Sequence, residues 1–303
     1  MFFRDILFCL FLDFVFRKIP LILLNIISQG NNSSVWTKLK GKHVIITGAT
    51  GDIGRELCRG LVDKDVKLII IGRNEEQLKR LKDEMDEHII CEMFVVDFNI
   101  DSDFAFLDDY RDVGLLINNA GTLLKGPGFY LEEDDDPIIN VNIRSTTKIT
   151  RRVLRGMIER KFGYILNIGS VSADVPFPYL SSYAASKAFL KIWSFSLYYE
   201  LKDFNIEVEY VDLAYVATKM TKLKPIIGVI PSNKIIAKNI LSSFGSTYHL
   251  IPYTTHLILI CIISYIPICV LGRIIEYVHR VYNLNQRHED RRTRSRQVLT
   301  KRN

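Results

Sequence analysis

The sequence is short of cysteine and lacks any metal-binding pattern. Its 303 residues include five cysteines, Cys9, Cys58, Cys91, Cys261 and Cys269. None forms a CxxC pair, which excludes a disulfide scaffold, and six scattered histidines add no zinc spacing. No internal repeat or low-complexity linker divides the middle of the chain. A basic body is missing as well. There are 40 Lys and Arg against 34 Asp and Glu, a net charge of +6, and Arg273–Asn303 alone holds nine against three. The excess therefore sits in the tail, and a nucleic-acid-binding face on the body is excluded. The acidic run Glu132-Glu133-Asp134-Asp135-Asp136 precedes a long helical stretch, where solvation and the helix dipole account for it, so no metal is expected.

Apolar sequence, by contrast, is plentiful at 48%, which excludes a disordered chain. The length suits one α/β domain with attachments. Two greasy runs flank the middle. Ile6–Ser28 is long enough to cross a bilayer but is broken by Asp13, Arg17, Lys18 and Pro20. It reads as a membrane-associating segment with a linker, over 1–40. Tyr248–Gly272 has no Lys, Arg, Asp or Glu in 25 residues and reads as a membrane segment over 247–273, followed by a basic cytosolic tail over 274–303.

Between these ends, 41–246 has a βα rhythm. Lys42–Thr47, Val66–Ile71, Ile89–Val96, Val113–Asn118, Tyr164–Ile168 and Val208–Leu213 read as strands. Asp52–Val62, Glu75–Glu87, Leu131–Arg160 and Tyr183–Leu201 carry the helices between them. Strands alternating with helices imply a doubly wound parallel sheet with helices on both faces. The expected fold class is thus Rossmann-type α/β with hydrophobic membrane segments at both ends.

The first βα turn is Thr47-Gly48-Ala49-Thr50-Gly51-Asp52-Ile53-Gly54. Glycines there permit a tight turn and let the backbone approach a diphosphate at the helix start. Gly48, Thr50, Gly51, Asp52, Ile53 and Gly54 are the candidate contacts. Strand two ends at Gly72-Arg73 rather than at an acidic residue. A guanidinium there pairs with a 2′-phosphate, which selects NADP(H) over NAD. Asp97, closing strand three, is a candidate acceptor for the adenine amino group, or simply a turn cap. Tyr183 and Lys187 are four residues apart and so share a helix face. A free tyrosine, with a pKa of about 10, is a sluggish acid at neutral pH. A neighbouring ammonium is expected to lower that value. Ser170, at the C-terminal end of a strand, is placed to hydrogen-bond a developing oxyanion.

Five separated signatures resemble the short-chain dehydrogenase/reductase family: TGATGDIG at Thr47–Gly54, NNAG at Asn118–Gly121, Asn142 in VNIRS, Ser170 in NIGS, and Tyr183-Ala184-Ala185-Ser186-Lys187. The resemblance implies an NADP-binding dehydrogenase domain over 41–246. It also implies Tyr183 as acid/base, Lys187 as its partner and a ribose ligand, Ser170 orienting the carbonyl, and Asn142 supporting a proton-relay water. Asn119, Ala120 and Gly121 would line the cofactor site, and Val216 and Thr218 would meet the nicotinamide. GMIERKFGYILNIGS, PFPYLSSYAASKAF and YVATKM are similar to the membrane-bound very-long-chain 3-oxoacyl-CoA reductases and 17-beta-hydroxysteroid dehydrogenases. That branch implies a lipid-like ketone substrate (a long-chain acyl-CoA, a sterol or a sphingoid base) and a place beside the enzymes of fatty-acid elongation. It further implies a homodimer paired through the Tyr-bearing helix, and a transmembrane protein of the endoplasmic reticulum whose catalytic domain faces the cytosol.

Three departures stand out. The branch has a proline where this chain has Ala214, which loosens the loop carrying Thr218. The order Gly51-Asp52 reverses the family's usual end of that motif and sets a carboxylate near the diphosphate, or at the helix cap. Gly169-Ser170 replaces the usual paired serines. Asp52 and Ala214 are the support for a competing reading, a non-catalytic NADP-binding or scaffold protein.

Overall fold

Long runs of buried aliphatic residues set the architecture. The computed structural model describes residues 33–86, 89–100, 103–123, 126–132 and 134–282, with a few isolated positions ahead of residue 24. Strands β1 (His43–Thr47), β2 (Lys67–Gly72), β3 (Cys91–Val95), β4 (Val113–Asn118), β5 (Gly163–Ile168), β6 (Ile206–Val211) and β7 (His249–Leu250) form one sheet in the order β3-β2-β1-β4-β5-β6-β7. Every pairing is parallel. Parallel strands covered on both sides need apolar residues at successive positions. β1 shows it: Val44 and Ile46 join the core on one face of the sheet, and Ile45 joins the other.

Helices α1 (Asp52–Leu61) and α2 (Asn233–Ser243) cover the first face, contributing Leu57, Leu61, Ile236 and Ile240. Helices α3 (Thr146–Arg160) and α4 (Ser181–Glu200) cover the second, contributing Ile149, Val153, Met157 and Leu197. Since β1 lies between β2 and β4, the connections leave it in opposite directions. That switch point opens a crevice at the C-terminal ends of β1 and β4, where such sheets bind ligands.

The Rossmann-type sheet expected from the sequence is present; a membrane-spanning helix, among the described residues, is not. Among the described residues, no helix is long and apolar enough to cross a membrane. Tyr248–Gly272 instead breaks into pieces. His249–Leu250 pairs with Tyr210 and Val211 as the seventh strand. Thr254–Ile263 is a helix of 10 residues. At 1.5 Å per residue, that is roughly 15 Å, half of a hydrocarbon core. A further helix begins after Pro267 and runs over 268–282. Some of the apolar side chains serve the domain itself, Leu257 and Cys261 clustering with Ile251, while Ile258, Ile262, Ile268 and Val270 are exposed; His279 Nδ1 bonds Pro178 O at 2.6 Å. Membrane spans, a transmembrane protein, a membrane partner and endoplasmic-reticulum placement facing the cytosol were expected from these segments, and all are corrected by this finding. Most of Ile6–Ser28 and the basic run from residue 283 lie outside the described residues.

One buried carboxylate makes stability depend on pH. Glu209, on β6, is 4% exposed. It accepts from the Gly245 N–H at 3.0 Å, and its other oxygen has no partner. Burial pushes its pKa up to about 8 from an ordinary 4.5. The folded protein thus keeps a proton that the unfolded chain releases in that interval. Glu209's contribution is complete below pH 4.5 and is lost as pH rises to about 8. Glu209→Gln is expected to flatten this falling limb in urea melts taken from pH 5 to 8; an unchanged slope refutes the assignment.

Candidate active site

The turn after β1 is built to bring backbone close to backbone. Gly48 has φ +62°, and a Cβ there would lie 2.8 Å from Ala120 Cα. A Cβ on Gly54 would lie 2.4 Å from Gly48 O and 2.7 Å from Asn119 Nδ2. That amide fastens the loop by donating to Thr47 O and Gly48 O, both at 3.0 Å. Thr47 Oγ1 accepts from the N–H groups of Asn119 and Ala120, each at 3.0 Å. Gly51 caps α1 without any side-chain hydrogen bond, so the N–H groups at the helix start have no side-chain acceptor there. A glycine cradle at such a helix start fits a diphosphate. Ile53 packs on the core. A Cβ on Gly72 would stand 3.4 Å from Thr50 Oγ1, so the end of β2 adjoins this loop and the next residue, exposed Arg73, follows at its rim. Half-buried Asp97 accepts from the Asn99 N–H at 2.9 Å, which is the turn-capping alternative.

Asp52 does not cap its helix. Its carboxylate accepts from the N–H of Lys219, and its carbonyl accepts from Asn233 Nδ2 at 3.2 Å. It therefore ties the glycine turn to the loop after β6. That loop carries Val216, which is buried, and Thr218, whose hydroxyl is shared with Thr221 at 3.2 Å. His256 holds the base of the loop, with Nδ1 accepting from the Ala214 N–H at 3.3 Å and Nε2 meeting Tyr215 O at 3.2 Å.

The four predicted catalytic residues converge beside this cradle. A Cβ on Gly121 would stand 3.6 Å from Lys187 Nζ and 3.7 Å from Asn142 Oδ1, so both reach the same corner. Asn142 sits in a π-helical turn, Ile139–Ser145, just ahead of α3. Its Oδ1 accepts from the Thr122 N–H at 2.8 Å, and its amide donates to Thr122 O and Ser186 Oγ. Ser170 leaves β5 in extended conformation, and its Oγ accepts from the Ser172 N–H at 3.2 Å. The Ser170 hydroxyl lies close enough to the Tyr183 phenol to favour its ionised form. Lys187, 7% exposed, donates to Ile168 O at 3.0 Å and lies 5.8 Å from the centre of the Tyr183 ring.

The electrostatics differ from expectation. Burial raises the Tyr183 pKa above its ordinary 10, and the Ser170 hydrogen bond offsets this only in part. Burial also pushes Lys187 down to about 8. Desolvation is the largest influence on both groups and leaves the Tyr183 pKa raised rather than lowered. Sequence reading also missed Tyr210, which bonds the main chain of Ser170. It missed the buried amides Asn118 and Asn167 too, joined at 2.8 Å across β4 and β5. Only the NNAG motif hinted at these.

A short chain dehydrogenase family model matches residues 42–225. The chain belongs to this family. The oxidoreductase class and the expectation of NADP(H) agree with that membership. This dehydrogenase is 33% identical over 249 residues to a very-long-chain 3-oxoacyl-CoA reductase of Rattus norvegicus, covering 78% of this chain and 79% of that one. It is equally similar, 33% over 261 residues, to inactive hydroxysteroid dehydrogenase-like protein 1 of Homo sapiens, covering 82% and 79%. A short-chain dehydrogenase from Sphingobium yanoikuyae, solved in complex with NADPH, superposes with a TM-score of 0.62 at 24% identity, over 75% of this chain and 96% of that one. At that identity the match speaks for the fold.

Asp52 gives this dehydrogenase a testable handicap. Asp52→Asn keeps an acceptor for the Lys219 N–H and removes a negative charge beside the cradle. NADPH affinity is expected to rise about five-fold, the equivalent of roughly 1 kcal/mol between charges some 4 Å apart in water. Fluorescence titration checks this; weaker binding would show that the charge itself is needed.

Proposed function

We propose that this dehydrogenase reduces the ketone of a lipid-like substrate with NADPH, most specifically 3-oxoacyl-CoA to 3-hydroxyacyl-CoA in very-long-chain fatty acid elongation. The observation that carries the reading is the meeting of Tyr183, Ser170, Lys187 and Asn142 beside the glycine cradle. NADPH, when bound, supplies the hydride that reaches the carbonyl carbon. Gly48, Thr50, Gly51, Ile53 and Gly54 would hold its diphosphate, Arg73 its 2′-phosphate and Asp97 its adenine. Asn119, Ala120, Gly121, Val216 and Thr218 would flank its nicotinamide half.

Ser170 donates a hydrogen bond to the ketone oxygen and aligns it with Tyr183. As negative charge builds on that oxygen, the Tyr183 O–H bond breaks and a new O–H bond forms on the product. A phenol held above its ordinary pKa stays protonated at neutral pH, ready to act as this acid. Lys187 stabilises the phenolate left behind and binds the ribose. Asn142 supports the water that returns a proton.

The surroundings and the relatives support this substrate chemistry. Met220, Leu223, Ile226, Ile227 and Val229 are exposed on the loop that follows Thr218, an apolar fringe suited to a long hydrocarbon body. Several relatives are named very-long-chain 3-oxoacyl-CoA reductase. A 17-ketosteroid or 3-ketosphinganine presents the same combination of one ketone and an apolar body. A non-catalytic role is the competing reading, and the human relative named inactive favours it.

The test is NADPH oxidation with a long-chain 3-oxoacyl-CoA, a 17-ketosteroid and 3-ketosphinganine offered side by side. Preference for the acyl-CoA is the expected result. Folded protein that binds NADPH and turns over none of the three would overturn the reading.

A further inference from the structure

Tyr210 is the largest fully buried side chain among the described residues. It points from β6 toward α4, with its ring 5.8 Å from that of Phe195. Its hydroxyl meets both ends of one residue. It accepts from the Ser170 N–H at 3.1 Å and donates to Ser170 O at 3.3 Å. A phenol has one proton and two lone pairs, so it can serve both bonds at once. The ring also fills a defined space. A Cβ on Gly169 would stand 2.0 Å from Tyr210 Cζ and 2.2 Å from its Oη. Position 169 can carry no side chain while Tyr210 is present. Conversely, the tyrosine oxygen occupies the volume that a serine at 169 would use. Gly169 and Tyr210 are thus two halves of one arrangement.

We infer that Tyr210 is the positioning residue for Ser170, supplying from β6 the hydroxyl that position 169 does not carry. The inference rests on Ser170 acting at the ketone, as proposed above. Ser170 has to hold its Oγ toward Tyr183 while its backbone leaves the strand for the turn Val171–Ala173. Ser172 fixes the Oγ from one side, through its N–H and its hydroxyl. Tyr210 fixes the peptide from the other. Lys191 Nζ, 5.7 Å from the centre of the Tyr210 ring, is held by Asp174 and by fully buried Asp212. The ring is therefore wedged in place and has no room to turn its hydroxyl away.

The test exchanges the two positions. Tyr210→Phe keeps the ring and removes the hydroxyl. It is expected to lower kcat about ten-fold with unchanged NADPH affinity, the scale of one or two lost neutral hydrogen bonds, and to lower the thermal midpoint because the Ser170 N–H and C=O lose a buried partner. Gly169→Ser alone is expected to fail by collision with the ring. Placing Gly169→Ser in a Tyr210→Ala background is expected to restore kcat well above that of Tyr210→Ala alone. A second readout needs no substrate: the NMR shift of isotope-labelled Tyr183, assigned by its loss in Tyr183→Phe. It should move in Tyr210→Phe and return in the double variant. That pattern in a protein silent toward every ketone would sink the catalytic reading and leave the positioning intact. An active protein whose kcat and Tyr183 shift ignore Tyr210→Phe overturns the inference, as does a double variant no better than Tyr210→Ala.

Discussion

Tyr183→Phe is expected to cut ketone reduction by about 100- to 10,000-fold, the range for loss of a general acid, while NADPH still binds. The phenylalanine ring keeps the packing of the helix, and the Lys187 bond to Ile168 O does not pass through the phenol. What disappears is the acidic phenol proton, the one that passes to a ketone oxygen aligned by Ser170. Steady-state NADPH oxidation and an NADPH fluorescence titration on the same preparation read the two effects separately. Wild-type turnover in the variant would mean that another group is the acid. Loss of NADPH binding along with turnover would mean that Tyr183 is part of the cradle's support. The sequence-level competitor, a non-catalytic binding protein, predicts no difference because it predicts no turnover to lose.

Gly54→Ala should be nearly as damaging at the other end of the site. Its methyl group would lie 2.4 Å from Gly48 O, 2.7 Å from Asn119 Nδ2 and 3.0 Å from Ala49 Cα. Two of these are main-chain atoms, and the third is the amide that pins the turn, so none can move without opening the cradle. NADPH affinity is expected to fall about a hundred-fold, the equivalent of roughly 3 kcal/mol of overpacking. Gly51→Ala is the control. Its φ of −67° is ordinary, and its Cβ would meet only Gly48 O at 3.2 Å. Calorimetric titration of both variants should find a clearly smaller loss in Gly51→Ala than in Gly54→Ala. Equal losses would show that the cradle needs glycine for a reason other than the contacts at Gly54.

Much of the fold was legible because buried parallel strands have few disguises. The runs His43–Thr47 and Val113–Asn118 were expected within a residue of where they lie, since each is apolar on both faces and ends at a turn. The four catalytic candidates were legible as an ordered set of motifs. What could not be read depended on partners distant in the chain. Asp52 finds Lys219 across 167 residues, a partner that neither the diphosphate nor the helix-cap reading could supply. Tyr210 lies 40 residues from Ser170, and Gly169 alone does not announce the ring that displaces its side chain. The raised Tyr183 pKa depends on desolvation, which spacing along a helix does not report. Tyr248–Gly272 misled for a related reason. Uniform apolarity is shared by a bilayer span and by a strand and helices that each bury one side on a domain. Only the sheet edge offered by β6 and the break at Pro267 decide between them.

The π-helical turn at Ile139–Ser145 bears on how this region tolerates changes in chain length. A π turn holds one residue more than the α turn it replaces, so it behaves as an insertion absorbed within a helix rather than in a loop. Removing one residue from it would let the helix close up as ordinary α and keep the downstream face of Thr146–Arg160 in phase with the sheet. The cost would fall upstream, where residues would rotate by about 100° about the axis relative to that face. Asn142 belongs to the surplus turn and would be carried away from Thr122 and Ser186. In this chain a one-residue deletion at that point is therefore structurally cheap and functionally expensive.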